Sequence, residues 1–383
     1  MIYIIAFIIS LSLLFFGYQV KSKNKVASKI FIVLGLIVPC IIAGLRHYTV
    51  GTDTKGYVLN LYKIAQESIS FKCFLKLSNT MYNSKDIAYL SFTYLFGHYN
   101  ISFQLLLFVF EFLIIIPIYA ALKKIKNNDY DVVFGMAIIY FVLFNQSLNM
   151  IRQAIAISFF LFSFAIFVKS KNKDTMLVSL LLFLISFGFH DTVLFTSPLY
   201  ILFLLLNSKK IKESSKNFVV VITIVMAILV LVFHKQILLF VGNNGIYPKA
   251  LWYLEKYSSF DIDFTGTMKN LFIVSLIYYM KDFLVSEKVN YKFAILVAIL
   301  NLIIAFLGTF INYSERIAYY FMYLVLINYV SLIPKKKKKE IIFTLLVLLV
   351  FACYWIITIL LNNGSETLPY KLFFWGSDVI WKN

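Results

Sequence analysis

Arginine is the residue type whose placement in this sequence most suggests chemistry. Of 36 basic residues only three are arginine, Arg46, Arg152 and Arg316, and each lies at the edge of a long apolar run. A planar guanidinium donates paired hydrogen bonds to phosphate or carboxylate oxygens, whereas a lysine ammonium acts as a point charge. The three could instead reach only towards lipid headgroups. We favour an anion-binding role for the set, with the three guanidinium groups converging on one cavity.

Polar residues accompany each arginine. Asp53 supplies a carboxylate shortly after Arg46, in a glycine-containing segment that allows tight turns. Gln153 directly follows the second arginine. Glu315 directly precedes Arg316, where it could pair with the guanidinium or modify its charge. We therefore expect these neighbours to belong to the same site as the arginines.

His190 and Glu111 are further candidates. Histidine exchanges a proton near neutral pH, and Asp191 lies beside His190, although hydrogen bonds at a helix end would explain this histidine equally well. Glu111 is a carboxylate within an apolar run, either functional or neutral and bonded between helices. No HExxH spacing occurs and the three cysteines are an odd number, so the sequence predicts no metal site, disulfide framework or cofactor.

The composition indicates a membrane protein. Hydrophobic residues make up 61% of the 383 residues, charged residues only 14%, and the mean hydropathy is +0.84. A soluble chain is nearer half apolar and a quarter charged. No soluble fold of this length has enough interior for that apolar surface, so lipid must solvate it.

The apolar runs predict an all-α transmembrane bundle with about twelve spans of about 20 residues each. A shorter apolar run, 87–96, predicts an interfacial or re-entrant helix, and the pairs of spans around residues 149 and 190 could also be re-entrant elements. No internal repeat or linker divides the chain, which predicts one domain over residues 1–383. The predicted spans are 2–19, 27–45, 101–122, 131–147, 151–168, 175–189, 192–207, 217–234, 266–284, 293–311, 317–333 and 341–361.

Lysine clusters in alternate loops predict the orientation of the spans. The loops assigned to the cytoplasm hold 22 lysines and 7 acids, net +15, against 11 lysines, 3 arginines and 10 acids outside, net +4. Both termini and all three arginines then lie on the outer side. The basic residues form no face with interleaved aromatics, so nucleic acid is not an expected partner.

With these residues in view, the sequence resembles the EpsG-like proteins among the Wzy-type polymerases of exopolysaccharide, capsule and O-antigen. The resemblance covers nearly the whole chain. It departs at Asp191-Thr192, where a small residue typically follows the histidine, and at Asp86, where glutamate is often found. The strings that carry it are Arg46…Val50-Gly51-Thr52-Asp53…Tyr57, Asn149…Arg152-Gln153-Ala154, Phe189-His190-Asp191 and Arg316-Ile317-Ala318-Tyr319-Tyr320-Phe321.

The resemblance implies polymerisation at the outer face of the bacterial cytoplasmic membrane, without cofactor or metal. A glycan on undecaprenyl pyrophosphate would move onto a new lipid-linked repeat unit. The arginines would stabilise the pyrophosphate leaving group. The base that takes the proton from the attacking hydroxyl of the acceptor sugar would be His190, which we prefer, or Asp53. Lipid-linked glycans, membrane lipids, a flippase and a chain-length regulator are the implied partners. Rings that could stack on sugars, or anchor at the interface, are Tyr57, Trp252, Tyr253 and Tyr320.

Three other functions compete with this interpretation. A flippase for lipid-linked oligosaccharides would show polar residues along a central path and an internal repeat, and neither is visible. A ligase that hands finished glycan to another acceptor uses nearly the same donor, and the sequence separates it poorly from a polymerase. A membrane acyltransferase needs a histidine near its acyl donor, and the predicted cytoplasmic loops contain none.

Overall fold

The structure is a computed structural model that describes residues 2–82, 85–170, 172–245, 251, 264–286, 290–310, 315–333 and 337–374. These residues form 18 α-helices. The helices are α1 (Ile2–Gln19), α2 (Lys25–Leu45), α3 (Leu59–Glu67), α4 (Phe71–Tyr82), α5 (Ile87–His98), α6 (Phe103–Ile125), α7 (Asp129–Val142), α8 (Phe144–Asn149), α9 (Ile151–Val168), α10 (Lys173–Phe189), α11 (Ser197–Asn207), α12 (Glu213–Val232), α13 (His234–Asn243), α14 (Phe264–Tyr279), α15 (Lys281–Ser286), α16 (Tyr291–Leu307), α17 (Glu315–Asn328) and α18 (Lys338–Trp355).

The all-α prediction is confirmed for the residues that the structure describes. Among them, the strand-type pairing is a single isolated antiparallel bridge between Arg46 and Leu372. Helices suit apolar segments because each helix satisfies its own backbone hydrogen bonds, so its surface can face lipid. The short run at 87–96 is helical too, as the twelve-residue α5.

Among the residues that the structure describes, six helical segments are long and apolar enough to cross a membrane, which makes this a multi-pass membrane protein. The other six predicted spans coincide with helices that are shorter or interrupted. For example, 131–147 contains α7 and α8, which meet at Leu143, and 266–284 contains α14 and α15. Twelve crossings therefore stay a prediction. The six long segments are Ile2–Ser22, Lys25–Leu45, Phe103–Ile125, Ile151–Val168, Glu213–Val232 and Lys338–Leu361.

Asparagine begins several helices that follow lysine-containing loops. The side-chain oxygens of Asn24, Asn128, Asn172 and Asn290 accept hydrogen bonds from backbone N–H groups in the first turns of α2, α7, α10 and α16. The first N–H groups of a helix have no partner within the helix, and an asparagine cap supplies one. These caps fix where the helices leave the loops.

The helices pack into two units. Unit 1 contains residues 1–192 and 335–383, and unit 2 contains 193–334. In unit 1, α9 packs between α6 and α10, and 72% of its span is buried. In unit 2, α16 packs against α12, α14 and α17, while none of the α12 span is buried, as suits a lipid-facing helix. The single domain stays a prediction.

Segments assigned to the cytoplasmic side contact one another within each unit. In unit 1, Nζ of Lys21 lies 2.8 Å from the carboxylate of Asp129, which Lys126 also contacts. In unit 2, Nζ of Lys292 lies 2.5 Å from the Glu213 carboxylate. These pairs join loops that charge bias places on one side of the membrane, so packing and charge agree.

Reporter fusions test the orientation directly. We expect fusions after Lys25, Lys126, Lys212 and Lys337 to report a cytoplasmic position and a fusion after Lys76 to report an external one, because the charge excess lies inside. Paired alkaline phosphatase and fluorescent-protein fusions at each position give opposite signals and control for expression. An external signal after Lys212 would mean that the spans before it are miscounted.

The chain that follows α18 returns to the loop after α2. The backbone N–H of His47 donates to the carbonyl of Lys371 at 2.8 Å, and that of Gly51 donates to the carbonyl of Glu366 at 3.0 Å. The C-terminal segment thus covers the loop that carries Arg46 and Asp53.

Candidate functional site

A salt bridge between Asp86 and Arg152 forms the centre of the candidate site in unit 1. Nη1 of Arg152 lies 2.5 Å from Oδ2 of Asp86, and Nδ1 of His190 lies 3.5 Å from the same oxygen. The Asp86 side chain is 8% exposed, against 29% for Arg152 and 21% for His190. The carboxylate therefore lies deeper than the two nitrogen-bearing groups. We call these three residues the Asp86 cluster.

Tyrosine rings cover the guanidinium of this cluster. The Arg152 Cζ lies 4.1 Å from the centre of the Tyr57 ring and 5.8 Å from that of the Tyr89 ring. Tyr57 and Tyr89 are themselves stacked with centroids 5.8 Å apart. Cation–π contact of this kind stabilises a partly desolvated arginine and holds its plane in place. Because its N–H donors lie in that plane, an anion must approach along the edge of the group.

Helix ends position all three members of the Asp86 cluster. Arg152 lies in the first turn of α9, and His190 ends α10 in an extended conformation. Because α9 and α10 form an antiparallel pair, the start of one and the end of the other share one end of unit 1. Asp86 directly precedes α5, with its carboxylate not used as a cap.

A close approach between α10 and α5 brings His190 towards Asp86. A Cβ added at Gly188 would lie 3.1 Å from the Cβ of Ala88, which is tighter than ordinary contact. A glycine at this position lets the two helices meet. The end of α10 is therefore held against the start of α5, where the carboxylate lies.

The electrostatic surroundings keep Asp86 ionised. Burial alone raises the pKa of Asp86, but the nearby imidazole of His190 and the positive charge of Arg152 outweigh it, and the net pKa is lowered. The pKa of the Tyr89 hydroxyl, in contrast, is raised well above the usual value, because the side chain is buried. At neutral pH the Asp86 carboxylate and the Arg152 guanidinium are thus both charged, and the Tyr89 hydroxyl near them is neutral.

Arg46 lies in a second polar cluster, together with Thr54, Glu111 and Ser147. We call it the closed cluster because its arginine is buried. The residue is 1% exposed, and its guanidinium donates to the carbonyls of Ala43 and Leu148 at 3.1 Å and to Oγ1 of Thr54 at 3.3 Å. Glu111, 2% exposed, acts on it electrostatically. In this conformation Arg46 joins α2, the following loop and α8, and it is not accessible to a ligand.

The end of α8 links the two clusters. The Ser147 hydroxyl donates to the Glu111 carboxylate, with oxygen–oxygen distances of 3.2 and 3.1 Å. Oδ1 of Asn149 accepts from the backbone N–H of Asp53 at 2.8 Å. Arg152 follows within the next turn, so these contacts anchor the chain just before it.

Three of the predicted site residues in unit 1 come together in the structure. Arg152, His190 and Tyr57 all lie at the Asp86 cluster. Asp53 is half-buried in the loop that carries Tyr57, and Gln153 is buried in α9. Arg152 and His190, which the sequence analysis selected separately, therefore lie in one site. Their roles in that site stay predictions.

The remaining predicted residues belong to unit 2 or to undescribed parts of the chain. Glu315 and Arg316 are half-buried in the first turn of α17. Tyr320 is fully buried, so its ring is not accessible in this conformation, and the half-buried tyrosine beside it is Tyr319. Trp252 and Tyr253 lie outside the described residues. That Arg316 shares a cavity with the other arginines stays a prediction.

Asp86 and Tyr89 were not among the predicted site residues. The available signal was an acidic residue directly before an apolar helix too short to cross a membrane. An isolated aspartate of this kind is common in loops, and only the packing of α5 against α10 reveals its two partners.

Three side chains of the site could offer ligand atoms to a metal ion. One atom each from Asp86, His190 and Asp191 lies within 4.8 Å of the others. However, the guanidinium of Arg152 already contacts the Asp86 carboxylate, and a metal cation there would have to displace it. The donor set together with the arginine therefore favours an anionic ligand.

These features define a multi-pass helical membrane protein with a charged, tyrosine-lined site at the ends of its helices. The sequence model of the EpsG family matches residues 29–372, which include both clusters. The chain therefore belongs to the EpsG family. No curated protein and no solved structure matches it.

Proposed function

We propose that this protein is a membrane glycosyltransferase that polymerises undecaprenyl-pyrophosphate-linked repeat units. The reaction takes place at the outer face of the bacterial cytoplasmic membrane, in capsule or exopolysaccharide biosynthesis. Family membership and the motifs around Arg152 and His190 support this assignment. The observation that carries it is the partly exposed Arg152 guanidinium, held against Tyr57 and beside a histidine. Such a site suits a diphosphate attached to a sugar ring.

The reaction needs a stabilised leaving group and a base. The acceptor hydroxyl attacks the anomeric carbon of the lipid-linked chain, the bond from that carbon to the diphosphate oxygen breaks, and undecaprenyl diphosphate leaves. Arg152 stabilises the negative charge that develops on the diphosphate. The hydroxyl proton passes to His190, or to Asp53 as the alternative base. The chain's own residues thus supply both requirements, and no cofactor is needed.

A deletion strain tests the proposed reaction. Loss of the protein is expected to leave single repeat units on the lipid carrier and to abolish long chains, because the preceding assembly steps do not need a polymerase. Mass spectrometry of lipid extracts and a glycan size profile measure the two pools, and complementation with the wild-type gene is the control.

Two other results would identify other functions. Long chains of normal length that remain unattached to their final acceptor would indicate a ligase. Repeat units that accumulate only on the cytoplasmic side would indicate a flippase.

A further inference from the structure

One carboxylate oxygen in the candidate site is shared between two nitrogen-bearing side chains. Oδ2 of Asp86 lies 2.5 Å from Nη1 of Arg152 and 3.5 Å from Nδ1 of His190. The shorter contact is an ion pair, and the longer one is at the limit of hydrogen bonding. In this arrangement Asp86 therefore contacts Arg152 more closely than it contacts His190.

The order of burial places Arg152 in the path of an incoming anion. Its side chain is 29% exposed, whereas that of Asp86 is 8% exposed and lies behind it. A guanidinium has five N–H donors, and the ion pair with Asp86 uses Nη1. A diphosphate can thus reach further donors of Arg152 before it meets the carboxylate.

A bound diphosphate changes which partner Asp86 prefers. The anion neutralises Arg152 and repels the nearby carboxylate, so the ion pair weakens. The other nitrogen already close to the same oxygen is Nδ1 of His190. A firm hydrogen bond from Nδ1–H to Asp86 fixes the imidazole tautomer with Nε2 unprotonated on the opposite side of the ring. That nitrogen is then ready to accept a proton.

We propose that Asp86 is an exchangeable counter-ion, which Arg152 releases to His190 when a diphosphate binds. Diphosphate binding thereby prepares the base, and Asp86 is a positioning residue that acts through His190. The identity of the anion rests on the proposed function. Asp191 also faces His190, with its Oδ1 at 3.9 Å from Nδ1, but its side chain is 64% exposed and therefore solvated.

Histidine NMR of the full-length protein in nanodiscs tests the exchange. The chain has four histidines, and the spectrum of His190→Gln assigns the signal of His190 in protein labelled with ¹⁵N at histidine. On titration with inorganic diphosphate, the His190 nitrogens are expected to move towards the tautomer protonated at Nδ1 and to saturate. Arg152→Lys is expected to lose this response because the anion loses its paired contacts.

Asp86→Asn separates the exchange from simple anion binding. It is expected to bind diphosphate several-fold more tightly, at the low end of the roughly 5- to 150-fold range of site coupling, because the competing carboxylate is gone. The His190 signal should then not move with diphosphate. Asp86→Glu keeps the charge and is expected to restore the response, and its melting temperature controls for folding.

Several results would overturn the exchange. These are a wild-type His190 signal that ignores bound diphosphate, a failure of the wild-type protein to bind diphosphate, and an unchanged response in Asp86→Asn. The wild-type titration alone decides the question if Asp86→Asn does not fold. A saturating response in a protein whose deletion leaves the glycan profile normal would instead refute the polymerase assignment and keep the exchange.

Discussion

Replacing Arg152 by lysine is expected to lower polymer formation roughly 30- to 1,000-fold, which corresponds to about 2–4 kcal/mol in the activation barrier. Lysine keeps the positive charge, but it cannot donate two parallel hydrogen bonds to a diphosphate. It also loses the planar contact with Tyr57, which lies 4.1 Å from the guanidinium carbon. The loss should therefore appear in turnover of the lipid-linked substrate and not in the amount of protein in the membrane.

The measurement is polymer length and yield in a membrane preparation with matched protein levels. Lys55→Ala is the control, because Lys55 is an exposed cation in the same helical turn as Tyr57, Thr54–Val58, and its charge is screened by salt. We expect this control to retain nearly full activity. If Arg152→Lys polymerised normally, the paired-hydrogen-bond argument would fail, and Arg152 would be an anchor for Tyr57 and Asp86.

Replacing Arg46 by alanine is expected to destabilise the folded protein by about 1–3 kcal/mol for each buried polar group that it leaves unsatisfied. The guanidinium is 1% exposed and bonds to Ala43, Thr54 and Leu148. Its removal takes one donor from the Ala43 carbonyl and one from the Leu148 carbonyl, to which the Thr54 hydroxyl still donates, and it removes the positive charge that acts on Glu111. The loss should appear as a lower melting temperature in detergent and a lower yield in the membrane.

A double variant controls for the buried charge. Arg46→Ala with Glu111→Gln removes the arginine together with the carboxyl group on which it acts, and we expect it to be at least as stable as Arg46→Ala alone because an amide needs no positive neighbour. If Arg46→Ala instead kept its stability and lost only diphosphate binding, Arg46 would belong to the binding site in another conformation. The two arginines thus have separable expected effects, on turnover for Arg152 and on folding for Arg46.

The sequence alone determined where the apolar helices lie, whereas α3, α4 and α13 were not predicted. Each predicted span coincides with one or two helices, because hydrophobicity and helix capping act within a few residues along the chain. The lysine bias also indicated which segments share a side, and the contact between Lys21 and Asp129 agrees with it. The scarcity of arginine and the histidine at the end of an apolar run directed attention to Arg152 and His190. What the sequence could not indicate was how many helices cross the membrane, since several are interrupted.

Tertiary structure alone decided which arginine is accessible and which carboxylate pairs with it. In the sequence Arg46 and Arg152 look alike, since both lie at the outer end of a predicted span. They differ in exposure because the chain after α18 returns to cover the loop of Arg46, whereas the side chain of Arg152, against the Tyr57 ring, stays 29% exposed. Asp86 meets Arg152 across 66 positions in the chain, through the packing of α5, α9 and α10. Burial and ion pairing depend on such distant contacts, and these arise only when the helices have packed.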